Sequence, residues 1–176
     1  LGSNSTGPWG TPREAVEEAL RRLVSSGIAV KAASRLFATA PFGVTDQPDF
    51  VNAVAEVETQ LPPAELLAQL HEIERQSGRQ RTLRWGPRTL DLDLIDYHGL
   101  IRRDPPPVLP HPGIAERIFV LAPIAEIAPE WRHPESHLAA ADPWDQGLSR
   151  ETYLQSRIAA IAPKSPDPPA HPTASD

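Results

Sequence analysis

The stretch RWGPRTLDLDL, Arg84 to Leu94, concentrates residue types that handle phosphate and divalent cations. On a strand, side chains two apart share a face, so Asp91 and Asp93 project together while Leu90, Leu92 and Leu94 turn to the core. Two carboxylates fixed at that spacing can share hard cations, and Mg²⁺ takes one or two carboxylates with phosphate oxygens and water. A bare Asp-x-Asp also suits a solvated strand face, and metal-dependent glycosyltransferases use one, so the pair alone names no reaction. Its flank narrows the choice. Between Glu74 and Asp91 there is no acidic residue, yet Arg75, Arg79, Arg81, Arg84 and Arg88 all fall there. Guanidinium groups so crowded repel one another until an anion such as a polyphosphate lies between them. Cationic donors beside a carboxylate pair are what phosphoryl transfer requires, for charge neutralisation and for alignment.

Three further features lie near this pattern. Trp85 can stack on a planar substrate or anchor the loop. In LPHPGIAERIFVL, Leu109 to Leu121, His111 is held between two prolines and can donate to a phosphate oxygen, while Arg117 offers a phosphate contact and Phe119 a stacking face. In TAPFGVTDQPDFVN, Thr39 to Asn52, Phe42 and Phe50 supply flat apolar surfaces and Asn52 both a donor and an acceptor, which suits a flat heterocycle. Packing against a sheet would account equally well for either phenylalanine alone.

The elements that must position these residues are readable in part. Thr11-Pro12-Arg13-Glu14 predicts a capped helix start, with Val16, Ala19, Leu20, Leu23 and Val24 at helical spacing and Gly27 as the stop. Strands are predicted over Ile28–Phe37, Phe50–Thr59 and Leu90–Tyr97, and a second helix opens at Pro62-Pro63 and stops at Gly78. Short helices are expected around Ala115–Leu121 and Ser149–Ile161. The order helix, strand, strand, helix, strand is the ferredoxin-like βαββαβ pattern without its first strand. The fold class is therefore α+β, a mainly antiparallel sheet with helices on one face, the first strand missing or truncated before Leu1. Residues 1–162 form a single domain, and 163–176 a disordered, proline-rich tail.

The composition, 40% hydrophobic and 23% charged over 176 residues, suits one compact globular domain. A net charge of -6 argues against general nucleic-acid binding. No apolar run approaches the roughly 18 residues of a membrane helix. The absence of cysteine excludes thiolate metal sites and fits a reducing cytoplasm. His133 and His137 have helical ligand spacing, but Pro134 disfavours a helix there, so no metal is assigned to them.

Taken together, LGSN at Leu1–Asn4, the aromatic–Asn loop, GRQR–RWGPRTLDLDL, LPHP–ER–F–L and EIAPEW at Glu126–Trp131 resemble 6-hydroxymethyl-7,8-dihydropterin pyrophosphokinases over roughly residues 1 to 131. The resemblance implies an enzyme that transfers pyrophosphate from ATP to the pterin hydroxymethyl group, releasing AMP. It implies two Mg²⁺ ions at Asp91 and Asp93, and Arg79 and Arg88 as catalytic cations. Glu74, Arg81, Arg84, Trp85, His111 and Arg117 would bind ATP. Thr39, Phe42, Phe50, Asn52 and Phe119 would line the pterin pocket. A cytoplasmic monomer is expected, with no nucleic-acid or membrane partner, and an apolar strand upstream of Leu1 in the natural gene product. The alternative is an inactive relative that binds ATP or pterin without transfer. Departures include Ala40, where proline is frequent, a shortened arginine loop, and Pro106 and Val108 where some members place polar ATP contacts.

Overall fold

A computed structural model describes residues 1–41, 46–79, 87–140 and 159–160. The chain opens with strand β1, Gly2–Ser3, and enters helix α1, Pro12–Ser25. The capping box forms as its sequence predicts: Glu14 N–H donates to Thr11 Oγ1 at 3.4 Å and Thr11 N–H to Glu14 Oε2 at 2.8 Å. Strands β2 (Ala29–Ala33), β3 (Phe37–Thr39), β4 (Phe50–Asn52) and β5 (Ala55–Glu58) precede helix α2, Pro63–Gln76. Gly78 ends that helix at φ +79°, where an added Cβ would also lie 2.8 Å from Pro8. A 3₁₀ turn at Ile114–Glu116 leads into helix α3, Ile118–Ile127, and Ala159–Ala160 form strand β6.

Among the described residues one sheet runs β1-β4-β3-β6 and a second pairs β2 with β5, all antiparallel. This α+β arrangement with three helices is compatible with a ferredoxin-like fold. Several boundaries differ from the sequence expectation. Each of the first two predicted strands is split, into β2 and β3 and into β4 and β5. At the break Ser34 N–H donates to Val54 O at 2.9 Å while Val54 N–H donates to the Ser34 hydroxyl at 3.0 Å. A side chain thus replaces one ladder bond, and the β2–β5 register slips between Val30 and Ala32.

The predicted strand Leu90–Tyr97 pairs only at Asp91, which exchanges backbone bonds of 2.8 and 2.7 Å with Gly2. A ladder needs a partner, and beyond Gly2 no described strand faces Leu92–Tyr97. An apolar groove of about 340 Å³ lies there instead, bordered by β5 and floored by Leu23, Leu66 and Leu70. At the other end, Ala159–Ala160 extend along β3 where a helix through Ile161 is predicted. A short apolar run fits either period, and the open edge of β3 supplies backbone partners. The helix expected to end near Leu121 runs on to Ile127 through the buried Pro123, whose ring is accommodated in the core. The remainder of the predicted Ser149–Ile161 helix and the 163–176 tail lie outside the described residues.

The core is in two parts. Ala19 and Leu23 of α1 and Leu66, Leu70 and Ile73 of α2 pack on Ile28, Leu90 and Leu92. Across the sheet, Leu121 and Ile124 of α3 pack with Ile114 and Ala140 against Val54 and Ile95. Leu90 and Leu92 are 0% and 3% exposed, and each fully buried leucine contributes about 1.5–3 kcal/mol. A one-residue slip would replace them by Asp91 and Asp93, so the leucines fix the direction of the carboxylates.

Candidate active site

Opposite the leucines, a cavity of about 300 Å³ opens between the sheet and α3. Most of the residues singled out from the sequence line it: Thr39, Phe50, Asn52, Arg88, Asp91, Asp93, His111, Arg117 and Phe119. They come from four separate regions of the chain. β1 lies between β4 and Asp91, so its two residues bring the apolar–amide half of the cavity beside the carboxylate half.

On the β3–β4 side, Asn52 Nδ2 donates to Thr39 Oγ1 at 2.7 Å, and Thr39 is buried. Gly2 allows this pair to sit against β1, because a Cβ there would lie 2.7 Å from Asn52 Oδ1. Phe50 and Phe119 bring their rings in from β4 and from the first turn of α3.

The charged half is a chain of ion pairs. Arg79 lies between Glu74 and Asp91, and Arg88 pairs with the second Asp91 oxygen. Burial alone would push the Asp91 carboxyl up. The Arg79 and Arg88 guanidinium groups outweigh that cost and hold it below the usual carboxylate range. Asp93 is more open, its side chain 43% exposed, with His111 Nε2 at 3.9 Å. His111 is fixed through its backbone N–H, which donates to Ile95 O at 2.8 Å, and its buried Nδ1 has no hydrogen-bond partner among the described residues. Arg117 caps the start of α3 and folds over Gly113, close enough that a Cβ there would meet its Nε at 3.6 Å.

Glu74 occupies a different place from the others. It is 2% exposed, does not line the cavity, and accepts the Leu92 N–H at 2.8 Å as well as Arg79. Leu92 separates the two aspartates, so this carboxylate anchors the segment that carries them. Gln47, which lines the cavity, and the buried Asn4 beside it were given no roles by the motifs: Asn4 Nδ2 donates to Gln47 Oε1 at 3.0 Å, and the Arg88 N–H donates to Asn4 Oδ1 at 2.8 Å. Asn4 was visible only as part of LGSN. Phe42, Arg81, Arg84 and Trp85 lie outside the described residues.

No group of three or more His, Asp or Glu side chains among the described residues is placed to hold a metal unaided. The donor set suits a cation completed by substrate: Asp91 and Asp93 project into one cavity with room for phosphate oxygens beside them. Arg88, which pairs with Asp91, lines the same cavity.

Residues 1–129 match the family described as 7,8-dihydro-6-hydroxymethylpterin-pyrophosphokinase. The chain belongs to that family. Among similar proteins, a 2-amino-4-hydroxy-6-hydroxymethyldihydropteridine pyrophosphokinase of Pseudomonas aeruginosa is 41% identical over 157 residues, 85% of this chain and 93% of the relative. That of Haemophilus influenzae is 40% identical over 139 residues, 78% of this chain and 84% of the relative. A mitochondrial folate synthesis bifunctional protein of Arabidopsis thaliana is 43% identical over 127 residues, 72% of this chain and 22% of the longer protein. Membership in the dihydropterin pyrophosphokinase family makes the activity pyrophosphoryl transfer in folate biosynthesis, as the motifs imply. The inactive alternative is not favoured. No helix among the described residues is long and apolar enough to cross a membrane.

Proposed function

We propose that the cavity holds 6-hydroxymethyl-7,8-dihydropterin on its β3–β4 side and the ATP phosphates on its charged side. The observation that carries this reading is the convergence of Thr39, Phe50, Asn52 and Phe119 with Arg88, Asp91, Asp93, His111 and Arg117 on one cavity. The Phe50 and Phe119 rings bound the pterin plane, and the Thr39–Asn52 pair offers its remaining donor and acceptor capacity to the ring edge. Arg88 and Arg79 neutralise charge on the transferring group, while His111 and Arg117 hold the outer phosphates. Phe42 is assigned to the pterin, and Arg81, Arg84 and Trp85 to ATP, on the family resemblance.

Asp91 and Asp93 would hold Mg²⁺, two ions in this reading, and the metal would supply neutralisation of the polyphosphate and orientation of its leaving group. The pterin hydroxyl oxygen forms a bond to the β-phosphorus. The bond from that phosphorus to the bridging oxygen breaks, and AMP leaves with the oxygen. The hydroxyl proton passes to water. The described side chains offer no general base beside the pterin half of the cavity, so positioning and charge carry the rate. A cytoplasmic monomer is part of this reading, and the absence of cysteine fits a reducing cytoplasm.

The test is turnover of purified protein with ATP, Mg²⁺ and the hydroxymethyl dihydropterin, following AMP. One AMP per pterin diphosphate is expected, with activity lost on chelation and restored by Mg²⁺. Release of ADP, or no turnover, sinks the reading. Asp93→Ala should abolish turnover while pterin binding in the absence of nucleotide persists.

A further inference from the structure

Glu126 takes no part in the chemistry above, and its place is electrostatically unfavourable, because a carboxylate in the last turn of α3 faces the negative end of the helix dipole. Both its oxygens are nonetheless engaged, and by one residue from across the fold. The Arg35 N–H donates to Oε1 at 3.0 Å and Arg35 Nε to Oε2 at 3.1 Å. Arg35 stands at the break between β2 and β3, where the Ser34–Val54 exchange interrupts the ladder. Its guanidinium also lies over the Phe37 ring, 5.8 Å from the centre, so the contact reaches into β3. Seven residues before Glu126 on the same helix is Phe119. Seven residues make almost two full turns, so the two side chains leave one face of α3 about 10 Å apart along its axis. On the strand side, Arg35 and Thr39 lie four residues apart, about 13 Å. The spans match, and they lay α3 along β3 with Glu126 at Arg35 and Phe119 toward Thr39, in whose cavity it shares.

We infer that Glu126 is a positioning residue for the pterin: by gripping Arg35 it fixes α3 along β3, and so sets where the Phe119 ring stands relative to Thr39, Phe50 and Asn52. The inference rests on the ligand placement proposed above and names a residue outside the cavity that shapes its pterin half. The helix supplies little of this alignment itself. Among the described residues no side-chain hydrogen bond caps its start, and Pro123 has no N–H to give to the Phe119 carbonyl. Leu121 and Ile124 bury α3 with Ile114 and Ala140 against Val54, but apolar burial is non-directional. The paired bonds to Arg35 add the direction. With side chains 66% and 26% exposed, the ion pair as such contributes little, and the bond to the backbone N–H carries the grip. Arg117, on the phosphate side, is held separately by its N–H, which donates to Ile114 O at 3.1 Å.

The experiment measures the KM values for pterin and ATP, with a thermal melt, on variants of the full chain. Glu126→Ala should raise the pterin KM about tenfold, the equivalent of one hydrogen bond to a charged group, and leave the ATP KM within about twofold of wild type. Glu126→Gln keeps an oxygen for the Arg35 N–H and should recover most of that loss. Glu126→Lys suits the helix dipole yet repels Arg35, so it should raise the pterin KM at least as far, and it decides the matter if the alanine variant does not fold. Phe119→Ala should also raise the pterin KM, and adding Glu126→Ala to it should raise it no further, because the carboxylate acts through that ring. Earlier melting with both KM values unchanged, or effects of the two substitutions that add in full, marks a merely structural residue and overturns the inference. So does an equal rise in both KM values. A Phe119→Ala variant with the wild-type pterin KM would instead refute the ligand placement itself.

Discussion

Replacing Glu74 by glutamine removes one charge from a carboxylate that is 2% exposed, pairs with Arg79 and accepts the Leu92 N–H at 2.8 Å. Glutamine keeps an oxygen for Leu92 and loses the charge that faces Arg79. Removing one partner of a buried ion pair costs about 3–5 kcal/mol, and a hydrogen bond to a charged group is worth about 1.5–3 kcal/mol. Arg79 retains Asp91, so the lower range applies and the expected loss is about 2 kcal/mol. For a chain of this size that corresponds to a fall of about 4–8 °C in Tm. Alanine in addition leaves the buried Leu92 N–H unpaired, a further cost of about 1–3 kcal/mol. The total of about 4 kcal/mol should lower Tm by about 8–16 °C. Only the alanine variant frees the backbone between Asp91 and Asp93, so its kcat should fall well below that of the glutamine variant. Thermal melts without nucleotide, followed by kcat and the KM for ATP, check both steps. If both variants melt within about 2 °C of wild type and differ only in a raised KM for ATP, the anchoring argument fails, and the direct ATP contact implied by the family resemblance stands in its place.

What could be read from the sequence was whatever is decided locally. The Thr11–Glu14 box involves residues three apart and formed as written. The alternation of Leu90 and Leu92 with Asp91 and Asp93 gave the buried and cavity faces without any knowledge of a partner. Pairing is different, because it belongs to two segments at once. The same alternating pattern carries a ladder at Asp91, where Gly2 faces it, and none beyond. Ser34 reads as an ordinary strand residue, and only its meeting with Val54 twenty residues later makes it a break. Glu74 sits next to Ile73 in an amphipathic helix, and the resemblance implied only an ATP contact for it; its bond to the Leu92 N–H, eighteen residues on, is not written in that helix. Asn4 hides for a related reason, since the groups that exhaust its amide come from Gln47, Pro48 and Arg88. The convergence of the Thr39–Asn52 and Arg117–Phe119 regions on one cavity came from recognising the motifs as a set, because no periodicity links them.

Gly2→Ala should disturb the pterin half selectively, because the added Cβ would lie 2.7 Å from Asn52 Oδ1 and push it from Thr39. An overpacking cost of about 1.4 kcal/mol, near the low end for such clashes, predicts a pterin KM about tenfold higher with the KM for ATP little changed; an unchanged pterin KM would contradict the proposed orientation of Asn52. The last prediction concerns Asp91 and acid. Burial opposes its charged form, but Arg79 and Arg88 more than compensate, so the carboxyl titrates lower in the folded chain than in the unfolded one. The unfolded chain therefore takes up a proton first as pH falls through about 4, and the stabilisation from the two ion pairs drains away below that point. Asp91→Asn removes the contribution at every pH and leaves Glu74 as the carboxylate facing Arg79. In metal-free buffer the wild-type Tm should exceed that of Asp91→Asn by a constant margin above about pH 5, and the margin should shrink as pH drops below about 4. A margin that stays constant down to about pH 3 would mean that burial and the two guanidinium groups cancel, and one that widens toward acid would mean that burial wins and Asp91 is a carboxyl held neutral rather than a charge already paired.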